Sequence, residues 1–516
     1  MSGPERRAVV SATALFAGLL VVWAMLAPSF RAADEPMHVS TVMRLAQTGT
    51  FPPPGRALLN PSVLSASKWV NYFGSTGSEP TVERPPDLAH PPSMRQLSGP
   101  DPERPRTAVD QMTQHPPGYY LLMAGVVDLL QLDDASPSGL VLALRLASSL
   151  LLLPLPYLCF RLSRQLRLSH RIAAASAFLP SAWMQFVHVS ATVNNGALLA
   201  LATSVTVVLI VPVVQGDVRL RRALALGAAL AVALFTKGFA LALLPTLPFA
   251  YLVAARRAGV GPALRGLLVA GLATLPGLWW WVLNLVRYGA VQPKGMADRV
   301  PTLSTPPPVS QWFQSFSETF VRTLWFGLGW AEGNPPPWLY LSLSAIFFVA
   351  LIVGTWRLRR QAAALLLMHM IWLGALAIVV IGSLGEFERS GQVRAAQGRY
   401  IQVAVIIFAV LVMAAISRFV RLSHLTPGAV TVLAFGGLGY GLQHFWAPTP
   451  GHGFVLDRVF SMFTWWPAGS IWLAAAGLAL ALAGALAGTV ALRSIPLQPV
   501  TRARRRLQPD LVGRHA

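Results

Sequence analysis

The chain has 516 residues, of which 54% are hydrophobic and only 12% are charged. With a mean hydropathy of +0.54, this composition excludes a soluble globular enzyme and indicates an integral membrane protein. The formal net charge of +21 does not by itself indicate a nucleic-acid partner, because multispanning proteins collect arginine in their cytoplasmic loops. The single cysteine, Cys159, excludes an internal disulfide and a multi-cysteine metal site.

The first predicted element is a membrane helix over residues 8–30, an uncharged apolar run. About 20 apolar residues suffice to cross a bilayer. Arg6 and Arg7 precede this run, so the positive-inside bias places the N-terminus in the cytoplasm. The acidic pair Asp34-Glu35 then lies on the outer face, at the start of a large Pro-rich segment.

Further uncharged stretches recur along the chain and are separated by arginine clusters. The clusters lie at residues 161–171, 219–222, 256–265, 357–360 and 418–421 and in the tail from residue 493. Placing all of them in the cytoplasm gives a consistent topology of about 12 transmembrane helices with both termini inside. We therefore predict an all-α polytopic membrane protein. It has a transmembrane domain over residues 1–492, a first extracytoplasmic loop over residues 31–137 and a basic cytoplasmic tail over residues 493–516, which contacts anionic lipid.

Three segments of this scheme are not simple spans. Residues 37–47 are predicted to form a short helix in the first loop. Residues 116–130 are apolar but short, and a crossing there would move the next arginine cluster outside, so we expect a helix that lies on the outer membrane surface or dips into it. Residues 223–255 are too few for two spans of about 20 residues each. We expect a tight hairpin that turns at Thr236-Lys237-Gly238 and holds Lys237 in a concavity.

The residues that could carry chemistry lie where predicted helices meet the outer surface. A carboxylate of Asp34 or Glu35 can act there as a general base toward an acceptor hydroxyl. Lys237 and Arg399 can neutralise a phosphate, for which arginine offers a bidentate fork. A charge in an apolar membrane segment is costly and is a functional-site hypothesis by default. The alternatives are a solvated loop at Asp34-Glu35, snorkelling of Lys237 to the interface and headgroup anchoring by Arg399.

Several motifs together resemble those of the GT-C superfamily of membrane glycosyltransferases. They are Asp34-Glu35-Pro36-Met37-His38, His115-Pro116-Pro117-Gly118-Tyr119-Tyr120, Asn194-Asn195, residues 234–238 and Gln397-Gly398-Arg399-Tyr400. The closest resemblance is to bacterial branches with DEP-x-H and QGRY signatures, and it covers residues 8–417. In the family an acidic residue usually follows the paired asparagines. Gly196 follows them here, so no catalytic role is assigned at that position.

The resemblance implies an inverting transferase that moves a sugar from a polyprenyl-phosphate donor to an extracytoplasmic acceptor in a bacterial inner membrane. The acceptor could be a cell-envelope glycan, a lipid or a protein. Asp34 would match the family's catalytic base, and Lys237 and Arg399 its contacts to the lipid phosphate. The other expected substrate-binding residues are Glu35, His38, His115 and Tyr400.

The sequence also indicates which cofactors and partners to expect. The short cytoplasmic loops carry no Gly-rich phosphate loop, so a lipid-linked donor is favoured over a nucleotide sugar. No metal ligand set is assigned, and a divalent metal is left open. Membrane lipids are expected partners and nucleic acid is not.

Two other classes of protein also fit a polytopic chain. A transporter or lipid flippase should show repeat-related halves and charged or broken helices near the membrane midplane, whereas the motifs here cluster at one face. A non-catalytic envelope-assembly protein would not need a carboxylate and two cations that converge on one cavity. A membrane glycosyltransferase is therefore favoured. Whether Asp34 or Glu35 is the base is left open, as are the sugar and the acceptor.

Overall fold

The computed structural model describes residues 1–70, 89–98, 109–295, 302–446 and 455–497. Within these ranges the chain consists of helices and connecting loops, and the only β pairing is an isolated antiparallel bridge between Leu58 and Val109. The predicted all-α class is confirmed. Parts of the predicted first loop (71–88 and 99–108) and the predicted tail from residue 498 onwards lie outside the described residues.

The described residues form 19 α-helices. In chain order these are α1 (Gly3–Leu26), α2 (Glu35–Thr48), α3 (Pro61–Trp69), α4 (Gly118–Leu130), α5 (Pro137–Leu150), α6 (Leu155–Gln165), α7 (His170–Ser176), α8 (Met184–Ser190), α9 (Gly196–Val214), α10 (Leu220–Leu234), α11 (Thr246–Ala258), α12 (Val260–Tyr288), α13 (Val309–Phe326), α14 (Pro337–Arg357), α15 (Ala362–Ser390), α16 (Val405–Ala415), α17 (Thr426–Phe445), α18 (Val455–Trp465) and α19 (Ser470–Ser494).

Ten helical segments of the described chain are long and apolar enough to cross a membrane. The sequence predicts about 12 crossings from loop charge. The two predicted crossings that are not among these ten segments coincide with shorter helices. One is interrupted between α7 and α8 by a 3₁₀ turn over Leu179–Ala182, where Pro180 lacks a backbone N–H to continue a helix. The other is α10, whose 15 residues extend only about 22 Å. A short α10 fits the tight hairpin predicted for that part of the chain.

Helices α1 and α19 pack closely because small residues face each other. A Cβ atom on Gly18 would lie 2.2 Å from the carbonyl oxygen of Gly477, and one on Gly484 would lie 2.5 Å from the backbone nitrogen of Leu15. Small residues allow membrane helices to approach each other to backbone contact. This contact holds α1 inside the bundle, and the C-terminal end of α1 leads directly to the first loop.

The first loop folds against the end of the helical bundle. The helix expected over residues 37–47 is present as α2, and α4 forms within residues 116–130. The turn expected at residues 236–238 also forms, because α10 ends at Leu234 and a 3₁₀ helix follows over Gly238–Leu243. The backbone N–H of Gly118 donates to the carbonyl of Phe235 at 3.1 Å. This hydrogen bond joins the start of α4 to the turn that carries Lys237.

We expect Gly484→Ala to destabilise the protein through the contact between α1 and α19. The added methyl group would collide with backbone atoms of α1, and such overpacking costs about 1–3 kcal/mol. Gly436→Ala in α17 is the matched control, since a Cβ there meets nothing within 4 Å. Alanine is the better helix former, so the control should be neutral or slightly stabilising. Melting temperatures of the two variants in detergent test this, and equal values would contradict the packing argument.

Candidate functional site

The backbone at the start of α2 separates the two adjacent carboxylates, Asp34 and Glu35. Asp34 immediately precedes the helix with φ 63° and ψ 5°, a left-handed conformation that aspartate and asparagine adopt more readily than most residues. Pro36 lies in the first helical turn, where its fixed φ favours helix formation. As a result, the side chain of Asp34 lines a cavity, whereas that of Glu35 is fully buried outside this cavity.

The cavity has a volume of about 720 Å³ and is lined by residues from distant parts of the chain. Its walls come from α2, residues 111–115, residues 237–239, residues 292–294, Trp330, α15 and residues 394–400. Six of the seven site residues that the sequence singled out line it: Asp34, His38, His115, Lys237, Arg399 and Tyr400. The fold therefore brings together motifs that are separated by more than 300 positions in the sequence.

The charge of the cavity is strongly positive. Among the described lining residues, Lys237, Lys294, Arg394 and Arg399 are cationic and Asp34 is the one carboxylate. Such a concave surface attracts anions, because a cleft lined by one sign of charge concentrates the electrostatic field.

Asp34 is held by two side chains from other segments. Its Oδ2 accepts a hydrogen bond from Nη2 of Arg399 at 2.7 Å, and its Oδ1 accepts one from Nε2 of Gln111 at 3.2 Å. The guanidinium of Arg399 lies over the ring of Tyr400, with 5.3 Å between Cζ and the ring centroid. Asp34 thus has a fixed position in the cavity, next to a cation.

Lys237 differs from Arg399 because it forms no salt bridge with a described carboxylate, although Asp34 attracts it from a greater distance. No carboxylate oxygen of the described residues lies within salt-bridge distance of its Nζ atom, which is 6.0 Å from the ring centroids of both Phe239 and Tyr400. Lysine is a compact point charge that binds single oxyanion groups well. Burial and the neighbouring charge of Arg399 lower the pKa of Lys237 to about 7, so an anion that enters the cavity would favour the protonated amine.

The two predicted histidines face the same cavity and are uncharged near neutral pH. Burial, together with the nearby charge of Lys237, lowers the pKa of both His38 and His115 well below the ordinary value. Nδ1 of His38 lies 3.0 Å from the hydroxyl of Tyr120, whereas the buried Nδ1 of His115 has no hydrogen-bond partner among the described residues. A neutral imidazole can donate to or accept from a hydroxyl group, as its tautomer requires.

Glu35, predicted to bind substrate, does not reach the cavity. Its carboxylate pairs with the buried Arg145, with Nε–Oε1 at 2.7 Å and Nη2–Oε2 at 2.5 Å. Oε1 also accepts the backbone N–H of Val193 at 3.1 Å. Both carboxylate oxygens of Glu35 are thus occupied by donors of the protein itself.

Arg145 uses all of its donors at this junction. Besides the two bonds to Glu35, Nη1 donates to the carbonyls of Ala24 and Ala27 at 2.7 and 2.6 Å, and Nη2 donates to that of Pro28 at 2.9 Å. The positive group thereby caps the C-terminal end of α1, where unpaired carbonyls and the helix dipole favour a cation. One side chain of α5 fixes both the end of α1 and the start of α2.

Arg145 was not predicted as a functional residue, although its position in the sequence is unusual. It is a lone arginine inside the apolar run of residues 140–160, and a charge in such a run indicates a specific buried partner. Gln111 and Trp330, which also line the cavity, gave no comparable signal. They come from loop segments whose placement depends on tertiary contacts.

Asp110 is a second buried carboxylate close to the site. It accepts hydrogen bonds from the hydroxyls of Ser40 (2.7 Å) and Thr41 (3.0 Å) and from the backbone N–H of Met112 (3.0 Å). Burial raises the pKa of Asp110 to about 6, although these hydrogen bonds oppose the shift. Asp110 joins α2 to the segment that carries Gln111 and His115, so it stabilises the wall of the cavity.

The fold and site define a polytopic all-α membrane protein with a cation-lined polar cavity where loops meet the helix ends. The chain belongs to the family described as Predicted membrane protein (DUF2142), whose model matches residues 16–434. No curated protein matches the sequence.

Two solved membrane proteins are similar to this chain. ArnT from Cupriavidus metallidurans, solved with undecaprenyl phosphate, is 15% identical with a TM-score of 0.44, over 93% of this chain and 76% of ArnT. The Archaeoglobus fulgidus oligosaccharyltransferase in the apo form is 12% identical with a TM-score of 0.43, over 90% of this chain. That match covers only 60% of the oligosaccharyltransferase. At TM-scores below 0.5 and identities of 12–15%, these likenesses carry no argument about this chain.

We expect Glu35→Gln to destabilise the protein strongly. The substitution keeps the side-chain size but leaves the charge of Arg145 buried without a partner, which costs about 3–5 kcal/mol. Asp134→Asn is the control, because Asp134 pairs with Arg95 on the surface and exposed pairs contribute only about 0–1 kcal/mol. Thermal unfolding in detergent measures both effects. If Glu35→Gln melted like the control, the buried pair would not hold α1, α2 and α5 together.

Proposed function

We propose that this protein transfers a glycosyl residue from a polyprenyl-phosphate-linked donor to a hydroxyl acceptor on the extracytoplasmic side of a bacterial membrane. One observation carries the proposal. A single cavity contains one carboxylate, a lysine that has no salt bridge to a described residue, and further cations. That combination suits a reaction in which a base takes a proton while an anionic phosphate departs.

The carrier phosphate is assigned to Lys237 and Arg399. As the bond between the anomeric carbon and the phosphate oxygen breaks, negative charge grows on the leaving phosphate. Cations that are already in place stabilise that charge without reorganisation. Lys237 fits this role because its side chain lines the cavity and forms no salt bridge with a described residue. Arg399 fits because it has further N–H donors beside the one that binds Asp34.

Asp34 is assigned as the general base. The acceptor hydroxyl oxygen attacks the anomeric carbon, Asp34 takes the hydroxyl proton, and the phosphate leaves with the electron pair of the broken bond. A single displacement of this kind inverts the anomeric configuration. Because the acceptor attacks from the side opposite the departing phosphate, the anomeric carbon lies between Asp34 and the phosphate, and Arg399 contacts each of them with different N–H donors.

The remaining polar residues of the cavity are assigned to hydroxyl groups of the substrates. His38 and His115 present neutral imidazoles, and the unpaired Nδ1 of His115 can bond a hydroxyl at no cost to the protein's own contacts. Tyr400 lies under the guanidinium of Arg399 and supports its orientation. Glu35 is assigned no substrate contact because its carboxylate binds Arg145. Asp34 is therefore the proposed base.

We expect Lys237→Ala to weaken binding of undecaprenyl phosphate by about tenfold or more, which corresponds to about 1.4 kcal/mol. The loss reflects removal of a cation that forms no salt bridge with a described residue. Arg219→Ala is the control, since Arg219 is exposed and pairs with Asp217 outside the cavity. Binding to the purified protein can be measured by native mass spectrometry. Equal affinity of both variants for undecaprenyl phosphate would show that Lys237 does not bind the phosphate.

We expect Asp34→Asn to abolish glycosyl transfer while leaving undecaprenyl phosphate binding near normal. Asparagine tolerates the left-handed backbone at this position and can still accept a hydrogen bond from Arg399, but it cannot take a proton. Restoration of the missing envelope glycan in a strain that lacks the gene is the readout. Asp134→Asn should restore the glycan like the wild type. Full restoration by Asp34→Asn would rule out Asp34 as the base.

A further inference from the structure

A second cavity lies at the opposite end of α1 from Asp34. Its volume is about 960 Å³, and the described residues that line it belong to α1 and α19. Since α1 has 24 residues and so extends about 36 Å, the two cavities are separated by roughly the thickness of a membrane. We call the second cavity the terminal groove, and the residues that matter for its chemistry are Arg6, Arg7, Val10, Ala487 and Val490.

The rim of the terminal groove carries uncompensated positive charge. The side chains of Arg6 and Arg7 are exposed, and neither has a hydrogen bond or salt bridge to a described residue. Glu5, their neighbour in sequence, is buried and already occupied, because it accepts the backbone N–H of Ser2 at 2.5 Å and contacts Nδ1 of His170. The two arginines can therefore bind an external anion without losing a partner among the described residues.

The floor of the groove is apolar. Val10 and Val490 are 60% and 67% exposed, and Ala487 lies beside them. These residues belong to α1 and α19, which are both candidate membrane spans. When α1 crosses a bilayer, the floor lies at the depth of the acyl chains and the arginines lie near the headgroups. The groove thus combines a site for an anion with a site for a hydrocarbon chain.

We propose that the terminal groove binds an anionic phospholipid, with the headgroup phosphate on Arg6 and Arg7 and an acyl chain against Val10 and Val490. Arginine suits this role because its planar fork matches a phosphate with two N–H donors. A soluble anion would leave the apolar floor uncovered, and a zwitterionic lipid would bring its own cation to the rim. The site is independent of the proposed glycosyl transfer, since it lies at the other end of α1.

The test compares lipids retained by the purified full-length protein. Native mass spectrometry with phosphatidylglycerol and, separately, phosphatidylcholine gives the preference for anionic lipid. The double substitution R6Q/R7Q removes the charges and keeps polar side chains, and Ala487→Phe fills the floor while leaving the arginines in place. R359Q/R360Q is the control, because these exposed arginines lie between α14 and α15, away from the groove. Inorganic phosphate at increasing concentration serves as a competitor.

The expected result is a preference for phosphatidylglycerol that falls about tenfold or more in R6Q/R7Q and also falls in Ala487→Phe, with R359Q/R360Q unchanged. Should R6Q/R7Q fold or insert poorly, Ala487→Phe alone decides. Equal loss in R359Q/R360Q would show a general effect of positive charge and overturn the proposal. So would an unchanged preference in Ala487→Phe, or full displacement of the lipid by inorganic phosphate, which would indicate a site for a soluble anion.

Discussion

The buried contact between Arg145 and Glu35 fixes the geometry on which the cavity depends. Removing two charges from water costs several kcal/mol for each ion, and the cost is offset only when every donor and acceptor is satisfied. Here Arg145 places all five N–H groups, two on Glu35 and three on carbonyls at the end of α1. Because Glu35 adjoins Asp34 in the sequence, the contact with Arg145 also helps to determine the position of Asp34.

The cavity shows the opposite electrostatic design. Arg399 has Asp34 as a salt-bridge partner, whereas Lys237 forms no salt bridge with a described residue, and its burial beside Arg399 disfavours its charged form. Sites of this kind break the rule of paired charges, and such exceptions are expected where a protein binds or reacts. An anionic phosphate would provide a partner for Lys237. The unpaired cation therefore favours binding of the proposed donor.

Helix α1 connects these features along its length. Its glycine contacts with α19 leave no room for a side chain, so the helix is held firmly within the bundle. One end of α1 is capped by Arg145 and leads to Asp34, and the other end carries the arginines of the terminal groove. If a phospholipid occupies that groove, it contacts the helix pair whose far end positions the proposed active site. Lipid binding and catalytic geometry would then share one rigid element.

The sequence alone determined the helical class, the short helix over residues 37–47, the turn at residues 236–238 and six of the residues that line the cavity. Hydropathy, loop charge and turn chemistry act over a few neighbouring residues, so they can be read directly from the chain. Only the tertiary structure decided that Asp34 and Glu35 separate, and that Glu35 pairs with Arg145 while Asp34 pairs with Arg399. These pairs join residues 110 and 365 positions apart. Adjacent carboxylates look equivalent in sequence, and it is the left-handed backbone of Asp34, together with these distant partners, that gives them different environments.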